Sequence, residues 1–319
     1  MTIFGYHASH EQFAPSELVR YVRLGEEAGF GAAMCSDHFM PWSDAQGQSG
    51  FAWSWLGAAL QATSLSYGMV TAPGQRYHPA ILAQAAATLA EMFPGRLWMS
   101  VGSGEAINEH ITGDPWPVKH VRNDRLKESV EVMRALWAGE TVDHHGYVRV
   151  QEARLYTRPE QPPAVLIAAI SPQTAEWGGV WADGLMTVAQ PPETLRQVID
   201  AFRRGGGGGK PMYLQVKVSY AESDEIALAG AMEQWGTNVL TSRLLADLPM
   251  PAHYEDIAHY VRPADLEGAV LVSADLDRHI ECLRGYASMG FERIYIHNVN
   301  RGQERFIDAY GQAVLPALG

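Results

Sequence analysis

Short runs of apolar and β-branched residues open this chain at near-equal intervals: IFGYH at 3–7, AAMCS at 32–36, SYGMVT at 66–71 and LWMSVG at 97–102. About thirty residues is the length of one strand plus one returning helix, so the spacing predicts repeated βα units. Helical patterns fill the gaps. Leu18, Tyr21, Val22, Gly25 and Ala28 recur at helical spacing behind Ser16, a predicted cap beside Pro15, and Gly29 is placed to end the helix. Pro79 opens PAILAQAAATLAEMF, Pro-Gly at 94–95 closes it, and RLKESVEVMRALWAG repeats the pattern over 125–139. Further strands are predicted at 164–170, 184–188, 212–220 and 293–299, with helices at 193–204, 276–289 and 303–316. Alternation alone fits an open or a closed sheet, but strands this uniformly apolar favour an α/β fold of the (β/α)8 TIM-barrel type.

The 319 residues then form a single barrel domain, and 47% hydrophobic composition is enough for its core. The seventh interval is too long for one crossover, so residues 221–275 are predicted to be an inserted subdomain or lid between strands seven and eight. RGGGGGKP at 204–211 has Arg204 where a phosphate loop needs its first glycine and Pro211 where it needs Ser or Thr, so the run reads as a flexible connector.

The 36 acidic residues outnumber the 24 basic ones without long runs of either sign, which argues against nucleic acid and anionic membrane as partners. No apolar run is long enough for a bilayer and no secretory leader pattern opens the chain. With only Cys35 and Cys282, a cytoplasmic protein with reduced thiols is expected, and no zinc spacing is present.

Ligands of such barrels bind at the carboxyl ends of the strands. The residues there are His7 and Glu11; Asp37, His38 and Trp42; Met69 and Val70; Ser103, Gly104, Glu105 and Asn108; Ala169, Ile170 and Ser171; Lys217; and His297 and Asn298. In CSDHFMPW, His38 can move a proton near neutral pH while Asp37 orients it or binds a ring N–H. The competing reading is an Asx-type turn capping the next helix. In GSGEAINE, small residues allow close backbone approach to a planar ligand, and a partly buried Glu105 can serve as general acid or merely sit at a helix N-terminus. Asp143, His144 and His145 read as a polar turn between two extended pieces rather than as metal ligands, and FAWSWL at 51–56 as core packing.

GYHASHEQFAPSELV, SDHFMPW, RYHPAILAQAAATLAEMFPGRLWMSVGSGEAINEHITG, RLKESVEVMRALWAGETVD and VNRGQERFIDAYG, taken in order, resemble the luciferase-like flavin and deazaflavin oxidoreductases. The resemblance covers nearly the whole chain and is nearest to the branch of coenzyme F420-dependent glucose-6-phosphate dehydrogenases. It implies a homodimeric barrel that holds a flavin or 5-deazaflavin ring for hydride transfer to or from a small-molecule substrate. It also implies roles: Asp37 in ring contact, His38 as base, Trp42 on the substrate side, Glu105 as proton donor and Glu11 as a further active-site carboxylate. Ser103, Gly104 and Asn108 match cofactor contacts, and Met69-Val70 matches a non-prolyl cis peptide against the ring.

Three departures bear on the cofactor and substrate. Ala169-Ile170-Ser171-Pro172 stands where F420 users of the family have Ala-Gly-Gly-Pro; TVAQPPETL lacks a sugar-phosphate lysine; and His7 replaces a lysine. The expected function is therefore an FMN-dependent oxidoreductase of the monooxygenase type, with or without O2 as co-substrate. The alternative is an F420-dependent alcohol or sugar dehydrogenase or reductase. From other classes stand a non-catalytic flavin-binding protein and a metal-dependent hydrolase using His7, Asp37, His38 and His297.

Overall fold

The computed structural model describes residues 2–319. Its eight barrel strands are β1 (Ile3–Ala8), β2 (Ala32–Cys35), β3 (Ser66–Thr71), β4 (Leu97–Val101), β5 (Ala164–Ala168), β6 (Gly184–Val188), β7 (Met212–Ser219) and β8 (Arg293–Asn298). Each runs parallel to its successor, and β8 pairs with both β7 and β1, so the sheet closes on itself. No described helix is long and apolar enough to cross a membrane.

Strand periodicity of two sorts the side chains into two shells. Ala32, Met34, Trp98, Leu166, Met186, Tyr213 and Tyr295 pack together inside the barrel, with Val70 against them. The alternate residues, Met69 and Ala169 among them, pack outward under the helices. Gly68 shows how the interior is filled: a Cβ there would overlap the Trp98 indole, so the missing side chain makes the room for the largest one.

Among the described residues every peptide bond is trans, including Met69–Val70, which corrects the cis bond implied by the family resemblance. The reason lies in β3, whose ladder stays regular, with Met69 opposite Cys35 and Met99 and Val70 opposite Ser100. The glycine run also departs from expectation. A Cβ on Gly205 would overlap the Glu176 carbonyl, and one on Gly207 the Phe202 ring. These glycines let the end of the helix beginning at Pro192 lie against Pro172–Gly179, so they form a packing face rather than a flexible connector.

The first helix starts at Pro15 with Ala14 as its cap, displacing Ser16 from that role, because proline lacks the N–H that the first turn leaves unpaired. The last predicted helix holds only over Gln303–Ala309 before widening to a π turn at Tyr310–Val314. Val142–His145 and Arg149–Ala153 form an antiparallel hairpin, with His144 on Glu128 at 3.0 Å.

Between β7 and β8 lie the helices Asp224–Trp235, Ser242–Asp247 and Pro251–Ala258, the short strand Leu271–Val272, and the helix Leu276–Ala287 that leads into β8. Tyr254 of this segment is fully buried against Trp42 and Ile107, so it covers the carboxyl end of the barrel beside the β2 and β4 loops.

Candidate active site

The loops after β1, β2 and β4 converge on His38. Its Nδ1 lies 3.8 Å from Glu11 Oε1 and its Nε2 lies 3.8 Å from Glu105 Oε2, with 15% of the side chain exposed. The imidazole rests on Trp42 at a ring distance of 5.0 Å, and the Trp42 indole in turn meets Tyr254 edge-on at 5.3 Å. Asn108 links the two loops: its Oδ1 accepts the Phe39 N–H at 2.9 Å, and its Nδ2 sits 3.3 Å from His38 Nδ1 and 3.4 Å from Glu105 Oε2.

The two carboxylates differ in environment. Glu11 is buried, which by itself would raise its carboxyl, but the His38 ring and the hydroxyls of Ser36 and Ser9 outweigh burial and hold it below the usual carboxylate range. Those hydroxyls both donate to Oε2, leaving Oε1 buried and without a partner. At 3.8 Å that oxygen is beyond hydrogen-bond reach of His38 Nδ1, whose near partner is the Asn108 amide N–H, while Nε2 faces Glu105. Glu105 is the opposite case, pushed above the usual range by burial against the weaker pull of His38, with 35% of its side chain still open to the mouth. It occupies the N-cap position of the turn Ala106–Glu109 yet makes no capping bond, so the simple cap reading fails and its carboxyl is free for His38 and Asn108.

Asp37 sits beneath this layer. Thr71 Oγ1 donates to its Oδ2 at 2.6 Å and the Tyr77 hydroxyl to its Oδ1 at 2.8 Å. The Arg76 guanidinium lies 3.3 Å from Oδ2 and also donates to the Asp37 carbonyl at 2.9 Å. With 1% of the side chain exposed, both oxygens answer to protein donors. Arg76 turns its other side to Glu109, whose carboxylate accepts the Arg76 backbone N–H at 2.7 Å and stands 3.6 Å from Nε. Asp37, Arg76 and Glu109 thus tie the β2, β3 and β4 loops together under His38. Arg76 was not among the strand-end candidates, and the only local signal for it is a charged residue in the turn that leads to Pro79.

The remaining candidates separate by face. Val70, Ser103 and Gly104 are partly exposed at the mouth. Met69 and Ala169 have their side chains in the outer core. Ser103 accepts a hydrogen bond from Lys119 Nζ at 2.9 Å, Ile170 is 44% exposed, and Ser171 caps the helix Pro172–Gly179 through the Thr174 N–H. His7 and His297 stack on each other at 4.4 Å, and among the described residues no three His, Cys, Asp or Glu side chains gather as metal ligands would.

Along β3 to β5 the mouth is walled by one small aliphatic side chain, Val70, and by Gly102, Ser103 and Gly104, with a capped helix N-terminus beyond Ser171. A flat wall of this kind admits a planar ring at backbone distance, and a helix N-terminus suits a negatively charged tail. The residues present therefore fit a flavin or deazaflavin.

Glu105→Gln is expected to abolish whatever step draws on the Glu105 proton. In the wild type that step weakens as pH rises through the raised carboxyl pKa, and the variant should lose this dependence in a single-turnover pH profile. An unchanged profile would reduce Glu105 to a spectator.

The profile of the family described as luciferase-like monooxygenase matches residues 2–296. An F420-dependent glucose-6-phosphate dehydrogenase of Beutenbergia cavernae is 35% identical over 329 residues, covering 100% of this chain and 98% of that protein. One of the same description from Mycolicibacterium smegmatis is 35% identical over 327 residues, covering 98% and 97%. Among solved structures, an F420-dependent secondary alcohol dehydrogenase in complex with an F420–acetone adduct superposes with a TM-score of 0.93 at 31% identity, covering 100% of this chain and 99% of that one. The F420-dependent tetrahydromethanopterin reductase of Methanopyrus kandleri, at 19% identity and a TM-score of 0.81, shares the fold.

Proposed function

This chain belongs to the luciferase-like monooxygenase family of oxidoreductases, and from that premise we propose that it is a coenzyme F420-dependent oxidoreductase acting on a small alcohol or the carbonyl compound it becomes. The observation that carries the reading is His38 held between a carboxylate and a carboxyl group of opposite tendency, under an aromatic cover. When bound, the cofactor supplies a ring carbon that accepts or returns a hydride.

The chain's own residues handle the proton. Removing a hydride from a carbinol carbon requires its hydroxyl to lose a proton, and the His38 imidazole at the mouth is the acceptor. Glu11 Oε1 behind Nδ1 stabilises the imidazolium as it forms and keeps the ring oriented. Glu105, inclined to stay protonated, is the acid on the other side of the ring. Trp42, backed by Tyr254 and Ile107, keeps water from the reacting carbon.

The choice of cofactor rests on the relatives. The relatives described above at 31–35% identity are F420-dependent, which favours the deazaflavin over the FMN read from the sequence. FMN retains one supporting observation, the side chains of Ile170 and Ser171 where family F420 users carry glycines. Titrating the purified protein with F420 and with FMN, followed by absorbance, separates the two. Tight F420 binding and F420 reduction by a small secondary alcohol are expected; binding of FMN alone would transfer the reading to the flavin, and binding of neither would end it.

A further inference from the structure

Across the mouth from the β3–β5 wall, β7, β8 and β1 lie side by side. Their register sets Lys217 beside His297, and His7 follows the Tyr6–Ile296 pair as the next residue level with His297. The three form a row over adjacent strands.

The two histidines are occupied by neutral partners. Gln12 uses its amide nitrogen on the Val299 carbonyl at 2.7 Å and on Gln234 Oε1 at 3.1 Å, so its Oε1 must accept from His297 Nε2, at 2.8 Å. That leaves His297 Nδ1 bare, buried and without a partner. His7 receives the Gln215 amide at 3.2 Å. Burial lowers both imidazoles, His7 to about 3 and His297 well below its usual value, so neither carries charge at neutral pH.

Lys217 is therefore the cation of the row. Among the described residues no carboxylate oxygen lies within 4.0 Å of its Nζ, and its close aromatic neighbour is Trp235 of the inserted segment, 5.7 Å from Nζ to ring centre. Burial draws its ammonium down to about 8. Glu11 and His38 face the row from the β1 and β2 loops, and Glu11 Oε2 is already held by two hydroxyls. A partly buried ammonium without a counterion is costly unless a ligand supplies the anion.

We propose that Lys217 anchors an oxyanion site for the substrate, binding a carboxylate or phosphate oxygen while His297 Nδ1 accepts a hydrogen from the same molecule. The site sits on the β7–β8–β1 side, away from the wall that fits the planar ring, so the group it binds belongs to the alcohol or carbonyl compound. The substrate class is then an acidic hydroxy or oxo compound, gripped at its charged end by Lys217 and oxidised or reduced at the end beneath Trp42 and His38. This rests on the proposed oxidoreductase reading and adds the charge of its substrate.

The test uses acetate and inorganic phosphate as probes at constant ionic strength, with chloride as reference. Their binding to wild-type protein and to Lys217→Met is measured by calorimetry and by protection of Lys217 from amine-directed labelling, mapped by peptide mass. At least one anion should bind and protect Lys217, and the variant should lose about tenfold or more in that affinity while keeping its affinity for F420. Preference for acetate assigns a carboxylate, and preference for phosphate a phosphoryl group. Binding of neither anion, or equal binding to the variant, overturns the proposal. A fall in F420 affinity in Lys217→Met also overturns it, because the site would then serve the cofactor. Anion binding by a protein that takes up no F420 would sink the cofactor assignment and leave the oxyanion site standing.

Discussion

His38→Ala is expected to lower turnover by about 10²–10⁴-fold while leaving cofactor affinity largely intact. The expectation follows from where the ring sits. His38 is the one imidazole placed between Glu11 and Glu105, its Nε2 side open, and no other base takes its position. Its loss removes the proposed proton acceptor without touching Val70, Ser103 or Gly104 on the wall proposed for the ring. Single-turnover measurements on cofactor-loaded protein separate the chemical step from binding, and the effect should fall on the former. Turnover equal to the wild type would remove His38 from the chemistry and shift attention to the carboxyl groups alone.

Arg76→Met is expected to destabilise the fold by about 3–5 kcal/mol, because it strands two buried carboxylates that share one cation. The Arg76 side chain is 8% exposed, Asp37 1% and Glu109 2%, so water cannot replace the guanidinium. The sign of the pH dependence is a second check. Burial already raises the Glu109 carboxyl, and Arg76 pulls it back; without Arg76 its folded-state pKa rises further above the unfolded value. Stability of the variant is then lost as pH rises through that range, so the deficit should narrow in acid. Denaturant unfolding at two pH values reads both effects. A deficit below about 1 kcal/mol, the scale of an exposed ion pair, would show that Asp37 and Glu109 are held by other groups. Adding Asp37→Asn to Arg76→Met should recover part of the loss, since one uncompensated charge goes with it.

The strands were legible because each is a compact apolar run, and β3 and β4 appear in the structure at Ser66–Thr71 and Leu97–Val101, almost where the runs stand. The parity of side chains within a run was not legible. Met69 and Val70 stand side by side in the run, and strand alternation turns one outward and the other inward. The role of Arg76 is not legible for a different reason: the Asp37 and Glu109 groups it binds are 39 and 33 positions away in the chain. The glycines at 205–207 look flexible as a string of letters, and are packing surface only because Glu176 and Phe202 press against them.

The sequence by itself determined the number and order of the βα units, and with them the barrel and the end of it where the loops gather. Apolar periodicity and turn residues act over a few neighbouring positions, so a single chain states them openly. Only the tertiary structure decided what His38 stands between, that Asp37 lies beneath the site rather than open to it, and that Trp42 is backed by Tyr254 from between β7 and β8. Those relations are distances of a few ångströms between residues far apart in the chain, and closure of the sheet is what sets them.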